Sequence, residues 1–114
     1  MPYLSIDTNQ TLEEATTQEV MKKASSLIAG FLGKPESLVM ISIKPGTPLT
    51  FGGTNEPAAF VRLKTIGLPI DRCTELSEKI CGFIDQELGV PKDRVFIDFK
   101  ALERNLFGWN GKTF

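Results

Sequence analysis

One motif occurs twice in this chain, and that repetition constrains the fold more than any other feature. Leu32-Gly33-Lys34-Pro35, followed by Val39, Ile41 and Lys44, recurs as Leu88-Gly89-Val90-Pro91, followed by Val95, Ile97 and Lys100. Every shared residue keeps a separation of 56 positions, Gly33 to Gly89. Two copies make a duplicated unit and not a solenoid. Ahead of the first glycine, Val20, Ala24, Leu27, Ile28 and Phe31 fall at helical spacing; ahead of the second, Cys73, Leu76, Ile80, Phe83 and Ile84 do the same. Each glycine offers a left-handed stop, and the proline two residues on forbids continuation. Thr11 with Glu14 predicts a capping box at the first helix start, and Asp71 an N-cap at the second.

Beyond each glycine the spacing changes to alternation. Val39, Ile41 and Ile43 share one strand face, as do Val95, Ile97 and Phe99. Tyr3–Asp7 and Ala58–Ile66 read as the opening strand of each unit. The order is β-α-β twice, in units of about 2–50 and 57–105 within a single domain of residues 1–114. Right-handed crossovers then give an α/β (α+β) fold, with a four-stranded sheet and both helices on one face. Leu38, Met40, Phe60 and Phe96 alternate with the helix-facing residues and are expected to point away from the helices. Such an apolar face favours closed oligomerisation. The aromatic tail from Leu106 to Phe114, carrying Phe107, Trp109 and Phe114, reads as a docked segment with short C-terminal strands.

Composition narrows the chemistry. Thirteen Lys and Arg stand against 14 Asp and Glu, leaving a net charge of −1, with no footprint for nucleic acid or an anionic membrane. No stretch reaches the ~20 apolar residues of a membrane span, and no signal core opens the chain. A cytoplasmic location is expected, with leaderless secretion left open. Histidine is absent, which removes Ser-His-Asp and Cys-His catalysis and histidine metal sites. Cys73 and Cys81 are too few for a structural zinc, and eight residues apart on one helix they cannot pair. They read as buried reduced thiols. No metal and no cofactor are expected, so a base must be a carboxylate, a lysine, a tyrosine or the terminal amine.

Met1-Pro2 opens the chain. Initiator methionine is normally removed before a small second residue, which would leave Pro2 with a free secondary amine. Burial lowers the pKa of an amine and suits it to act as a base near neutral pH. Taken alone, Met-Pro is more often ordinary trimming.

An ordered set of short motifs spans the chain: Pro2, Thr8-Asn9, Gly33-Lys34-Pro35, Phe51-Gly52-Gly53, Glu56-Pro57, Ile66-Gly67, Cys81-Gly82, Pro91, Asp93-Arg94-Val95, Gly108-Trp109-Asn110 and Thr113-Phe114. With these motifs the sequence resembles the tautomerase superfamily, and within it the macrophage migration inhibitory factor family. The resemblance implies a homotrimer whose three sheets form a barrel, with active sites at the subunit interfaces. It implies Pro2 as the acid/base of a cofactor-free keto–enol tautomerase acting on small aromatic keto acids or dopachromes. Lys34 matches the position that binds the substrate carboxylate, and Ile66 one whose backbone N–H bonds the substrate. The resemblance also implies that Tyr3, Trp109 and Phe114 are substrate-site positions. Phe96 and Asp98 stand where the best-known members carry tyrosine and asparagine, so weak or altered activity on the usual aromatic keto acids is expected.

The Cys-x-x-Cys pair that some members carry after Glu-Pro is replaced by Ala58, Ala59, Phe60 and Val61, which removes a thiol–disulfide role. Leu12 and Gly46 stand where vertebrate members imitate a chemokine. A second reading, from another class, is a cytokine-like module that binds a protein partner and keeps residual tautomerase chemistry. A third, closer variant is decarboxylation or hydration of a small acid.

Overall fold

The computed structural model describes residues 1–114. The elements run β1 (Tyr3–Thr8), α1 (Glu14–Leu32), β2 (Met40–Lys44), β3 (Ala59–Ile66), α2 (Cys73–Leu88), β4 (Val95–Leu102), β5 (Gly108–Trp109) and β6 (Lys112–Thr113). One sheet has the order β2-β1-β3-β4. Within each unit the two strands are parallel, β1 with β2 and β3 with β4, because a helical crossover returns the chain to the same end of the sheet. The units meet antiparallel along β1 and β3, from Tyr3 opposite Lys64 to Thr8 opposite Ala59. Two helices on a mixed four-stranded sheet match the architecture expected from the duplication.

Gly33 and Gly89 end the helices as expected. Their φ values of 63° and 68° lie in the left-handed region, and each N–H donates back to a helix carbonyl, of Ala29 and of Asp85. The helix starts differ from expectation. Helix α1 begins at Glu14 behind an extended Glu13, with no side-chain cap. Thr11 lies too far upstream to cap it, and the first turn is instead tied by Thr17, whose N–H and hydroxyl both donate to the Glu13 carbonyl at 2.9 and 3.0 Å. Asp71 is likewise not the N-cap of α2; it sits inside a 3₁₀ turn, Ile70–Arg72. There the Arg72 guanidinium bonds the Glu75 carboxylate at 3.1 and 3.3 Å and lies over the Phe31 ring at 4.4 Å, joining the two helix ends.

Leu4, Ile6, Val61 and Leu63 from the central strands meet Val20, Ala24, Ile28, Leu76, Ile80 and Ile84 from the helices. Each fully buried Leu, Ile or Val contributes roughly 1.5–3 kcal/mol, so this layer dominates stability. Ile41, Ile43, Ile97 and Phe99 on the edge strands are only partly covered. Cys81 is buried, but Cys73 is half-buried, its thiol 3.7 Å from the Pro69 carbonyl; both are free. No helix is long and apolar enough to cross a membrane.

Side chains fasten the turn into β3. Thr8 Oγ1 donates to the Ala58 carbonyl at 2.8 Å, Asn9 Nδ2 donates to those of Asn55 and Glu56, and the Ala58 N–H donates to Asn9 Oδ1 at 2.9 Å. Arg94 donates to four carbonyls of residues 51–57, the shortest bond being 2.7 Å to Pro57. Charge-assisted bonds of this kind hold a loop that has no strand pairing of its own beyond one bridge, Phe51 to Thr54.

The face turned from the helices is not one apolar patch. Met40 and Tyr3 lie in register at one corner, and Phe60 and Phe96 at the opposite corner. Between them run Ser5, Ser42, Arg62, Lys64, Asp98 and Lys100, which share the same alternation. Met40 and Phe96 are 66% and 62% exposed, whereas Leu38 is half-buried in the turn before β2.

Candidate functional site

Pro2 is buried at the mouth of β1, where its carbonyl accepts the Met40 N–H at 3.0 Å and extends the β1–β2 pairing by one rung. It lines a cavity of 210 Å³ with Met1 and Tyr3, the turn Ser37–Met40, and the tail residues Phe107, Gly108, Trp109 and Phe114. The tail reaches there because β5 and β6 form a hairpin turned by Asn110 and Gly111, at φ 54° and 76°. Positive φ at both central residues is the geometry that Asn-Gly supplies in a two-residue hairpin. The Phe114 N–H donates to the Phe107 carbonyl at 3.2 Å, and Phe114 stacks between Phe107 and Trp109 at 5.8 and 5.7 Å. The three rings lie near-parallel, at interplanar angles of 16° and 8°.

The terminal amine, carried by Met1, has its pKa lowered from the ordinary 8.0, first by burial and second by the Lys34 charge. Lys34 follows the left-handed Gly33 and is half-buried. Its counterpart in the second unit, Val90, is fully buried in the core. The Lys34 ammonium ends 3.5 Å from where a side-chain carbon on Gly67 would stand, just past the end of β3 and next to Ile66. Ile66 is buried, and the hydroxyl of the preceding Thr65 donates to its carbonyl at 3.0 Å. Pro2, Tyr3, Trp109 and Phe114 line the cavity, whereas Lys34 and Ile66 stand at the same end of the molecule but outside its lining. The arrangement combines a buried chain start, a nearby cation and an aromatic wall.

Phe96 and Asp98 do not join them within the chain. Phe96 is in register with Phe60 and so with Asp7, five residues along β1 from Pro2. That is about 17 Å along the strand and about 10 Å across two strands, from ~3.3 Å per residue and ~4.8 Å per strand. Asp98 aligns through Arg62 with Ser5 and is exposed on the same outer face. Arg62 does not pair with it; the guanidinium donates to Asp7 at 3.4 Å and lies 4.6 Å from the Phe60 ring centre.

Sequence reasoning did not single out Met40, Phe107 or Gly67 for the site. Met40 carried a signal, being set apart from the core by its alternation; the role of Gly67 depends on where a distant lysine ends.

The chain matches the family model described as macrophage migration inhibitory factor over residues 1–114. It is 38% identical to a macrophage migration inhibitory factor homolog of Brugia malayi, over 100% of this chain and 99% of that protein. It is 31% identical to a D-dopachrome decarboxylase-B of Xenopus laevis, over 97% and 95%. Its structure is similar to that of a macrophage migration inhibitory factor homologue from Prochlorococcus marinus, at a TM-score of 0.92, 41% identity and 98% coverage of each chain.

Proposed function

The chain belongs to the macrophage migration inhibitory factor family, and from that premise we propose that it is a cofactor-free keto–enol tautomerase using Pro2 as acid and base. Membership, with a dopachrome-processing relative, supports tautomerase-type function; the substrate and mechanism are this proposal's own. The observation that carries it is the buried Pro2 in a cavity that also holds Met1, whose terminal amine burial and Lys34 make less basic; removal of Met1 would move that charge onto Pro2.

Once Met1 is removed, the neutral Pro2 nitrogen takes a proton from the carbon next to the substrate carbonyl. The C–H electron pair moves into the new carbon–carbon double bond, and the carbonyl oxygen takes up the negative charge. The protonated amine then returns its proton to that oxygen, giving the enol; the reverse sequence gives the ketone. Lys34 holds the carboxylate of a phenylpyruvate-like substrate, the Ile66 N–H bonds it, and Tyr3, Trp109 and Phe114 enclose its ring. No cofactor enters any step. Phe96 and Asp98 complete the site only from a second copy, as in a homotrimer closed by the outer sheet faces. The protein acts in the cytoplasm, where its two thiols stay reduced.

Replacing Pro2 by glycine in a trimer verified by sedimentation is expected to abolish most turnover of phenylpyruvate and of a dopachrome; unchanged turnover would overturn the proposal. Phe96 and Asp98 favour a second reading, a cytokine-like module binding a protein partner, since they forfeit a hydroxyl and an amide donor in the substrate site. Under that reading a partner captured by the parent chain is captured equally by the Pro2→Gly variant.

A further inference from the structure

The duplication extends past the shared motif into the pockets. Phe51-Gly52 precedes Phe107-Gly108 by the same 56 residues, and Pro2, Tyr3 and Met40 correspond to Ala58, Ala59 and Phe96. Phe51, Gly52, Ala58, Ala59 and Phe96 all line a second cavity, of 290 Å³, with Phe60 beside them. It is the repeat-related twin of the Pro2 cavity: in each, the segment trailing one unit folds over the strand starts of the other. What the twin lacks is the chemistry. In place of the amine is the Ala58 amide, its N–H already donated to Asn9, and in place of Lys34 is buried Val90. What it retains is aromatic wall, with the Phe51 and Phe96 rings 4.8 Å apart. An apolar cavity of ~150 Å³ already holds a benzene ring, so this one admits a ring with substituents.

We propose that the twin cavity is the subsite for the far end of the substrate, and that the preferred substrates are keto acids with an aryl tail longer than one ring. This rests on the reading above, in which a second copy brings Phe96 to Pro2. Phe96 is itself a wall of the twin cavity and is 62% exposed, so a copy that presents this ring to Pro2 presents the cavity with it. Asp98 lies two residues along on the same face and disfavours a second anionic group there. The fitting molecule has one carboxylate at Lys34, its carbonyl at Pro2 and an uncharged tail.

The test compares phenylpyruvate with 4-biphenylylpyruvate in the parent chain and in Thr50→Trp, where an exposed rim residue of the twin cavity gains a ring that fills it. The biphenyl substrate is expected to show a KM about tenfold lower than phenylpyruvate, from the added apolar burial. Thr50→Trp is expected to remove that advantage and leave phenylpyruvate turnover unchanged. Equal KM values for the two substrates in the parent, or equal effects of Thr50→Trp on both, overturn the inference. Sedimentation and Pro2→Gly kinetics judge the trimeric tautomerase separately. If the parent turns over neither substrate, backbone amide NMR decides: saturable shifts at Phe51, Gly52 and Ala59 with the biphenyl acid alone support the subsite, and their absence overturns it.

Discussion

The Lys34 ammonium stands 3.5 Å from the position a side-chain carbon would take on Gly67. Gly67 has a φ of 69°, so the constraint on this residue is its left-handed backbone, while the charged group approaches only to an ordinary contact distance. Gly67→Ala is expected to cost about 1–2 kcal/mol through the backbone alone. The new methyl group meets the Lys34 ammonium at an ordinary contact distance, so the KM for a keto acid should stay near the parent's. Thermal unfolding and steady-state kinetics check both; a KM raised several-fold would show that the turn also positions Lys34.

The lowered pKa of the terminal amine sets two pH dependences. The folded chain disfavours the protonated amine, so the unfolded chain binds more protons in the window just below 8.0. Its contribution to stability is therefore full above that value and declines as pH falls through the lowered folded pKa. Once Met1 is removed the terminal charge passes to the buried Pro2, and activity is expected to follow a limb in the same direction, because only the neutral amine accepts a proton. Burial, the larger cause, remains in Lys34→Ala, while the smaller, coulombic cause is lost. NMR titration of the Pro2 amine should show the variant's pKa higher than the parent's yet still below the ordinary value. An unchanged pKa would remove Lys34 from the account.

Asp98 places a carboxylate near an anionic substrate if a second copy supplies it to the site. Asp98→Asn is then expected to lower the KM for phenylpyruvate several-fold, more at low salt than at high salt, because exposed charges are screened. An effect of equal size at all salt concentrations would assign it to the new amide donor and not to the lost charge.

The parts of this structure that were legible in the sequence are those set by neighbours along the chain. Gly33 and Gly89 announce helix ends because a left-handed stop needs only a few residues, and alternation names the helix-facing side of each strand. The helix starts misled because Thr11 and Asp71 have capping chemistry but sit in a loop and a 3₁₀ turn whose paths depend on distant contacts. Register is least legible of all. That β1 runs antiparallel to β3, with Asp7 beside Phe60 and Phe96, follows from assembly of the units, and it is this pairing that parts Phe96 from Pro2. The resemblance grouped Phe96 with Pro2, whereas the structure of one chain separates them.

The repeat itself contains a chemical asymmetry that exchange can test. After Gly33 stands Lys34, half-buried with its ammonium next to Gly67; after Gly89 stands Val90, fully buried in the core. Val90→Lys would place an unpaired ammonium in the apolar core, where Val90 is fully buried, and is expected to destabilise by about 3–5 kcal/mol. Lys34→Val places an apolar side chain at a half-open position, and its stability should stay within about 1 kcal/mol of the parent. The kinetic effects should run the other way. Lys34→Val raises the KM for a keto acid at least about tenfold by removing the carboxylate's partner, whereas any Val90→Lys protein that remains folded keeps the parent's KM. Denaturant unfolding and kinetics on the same two variants therefore separate the residue that holds the fold from the one that holds the substrate. Equal destabilisation by both would show that Lys34 is part of the core and not of the site.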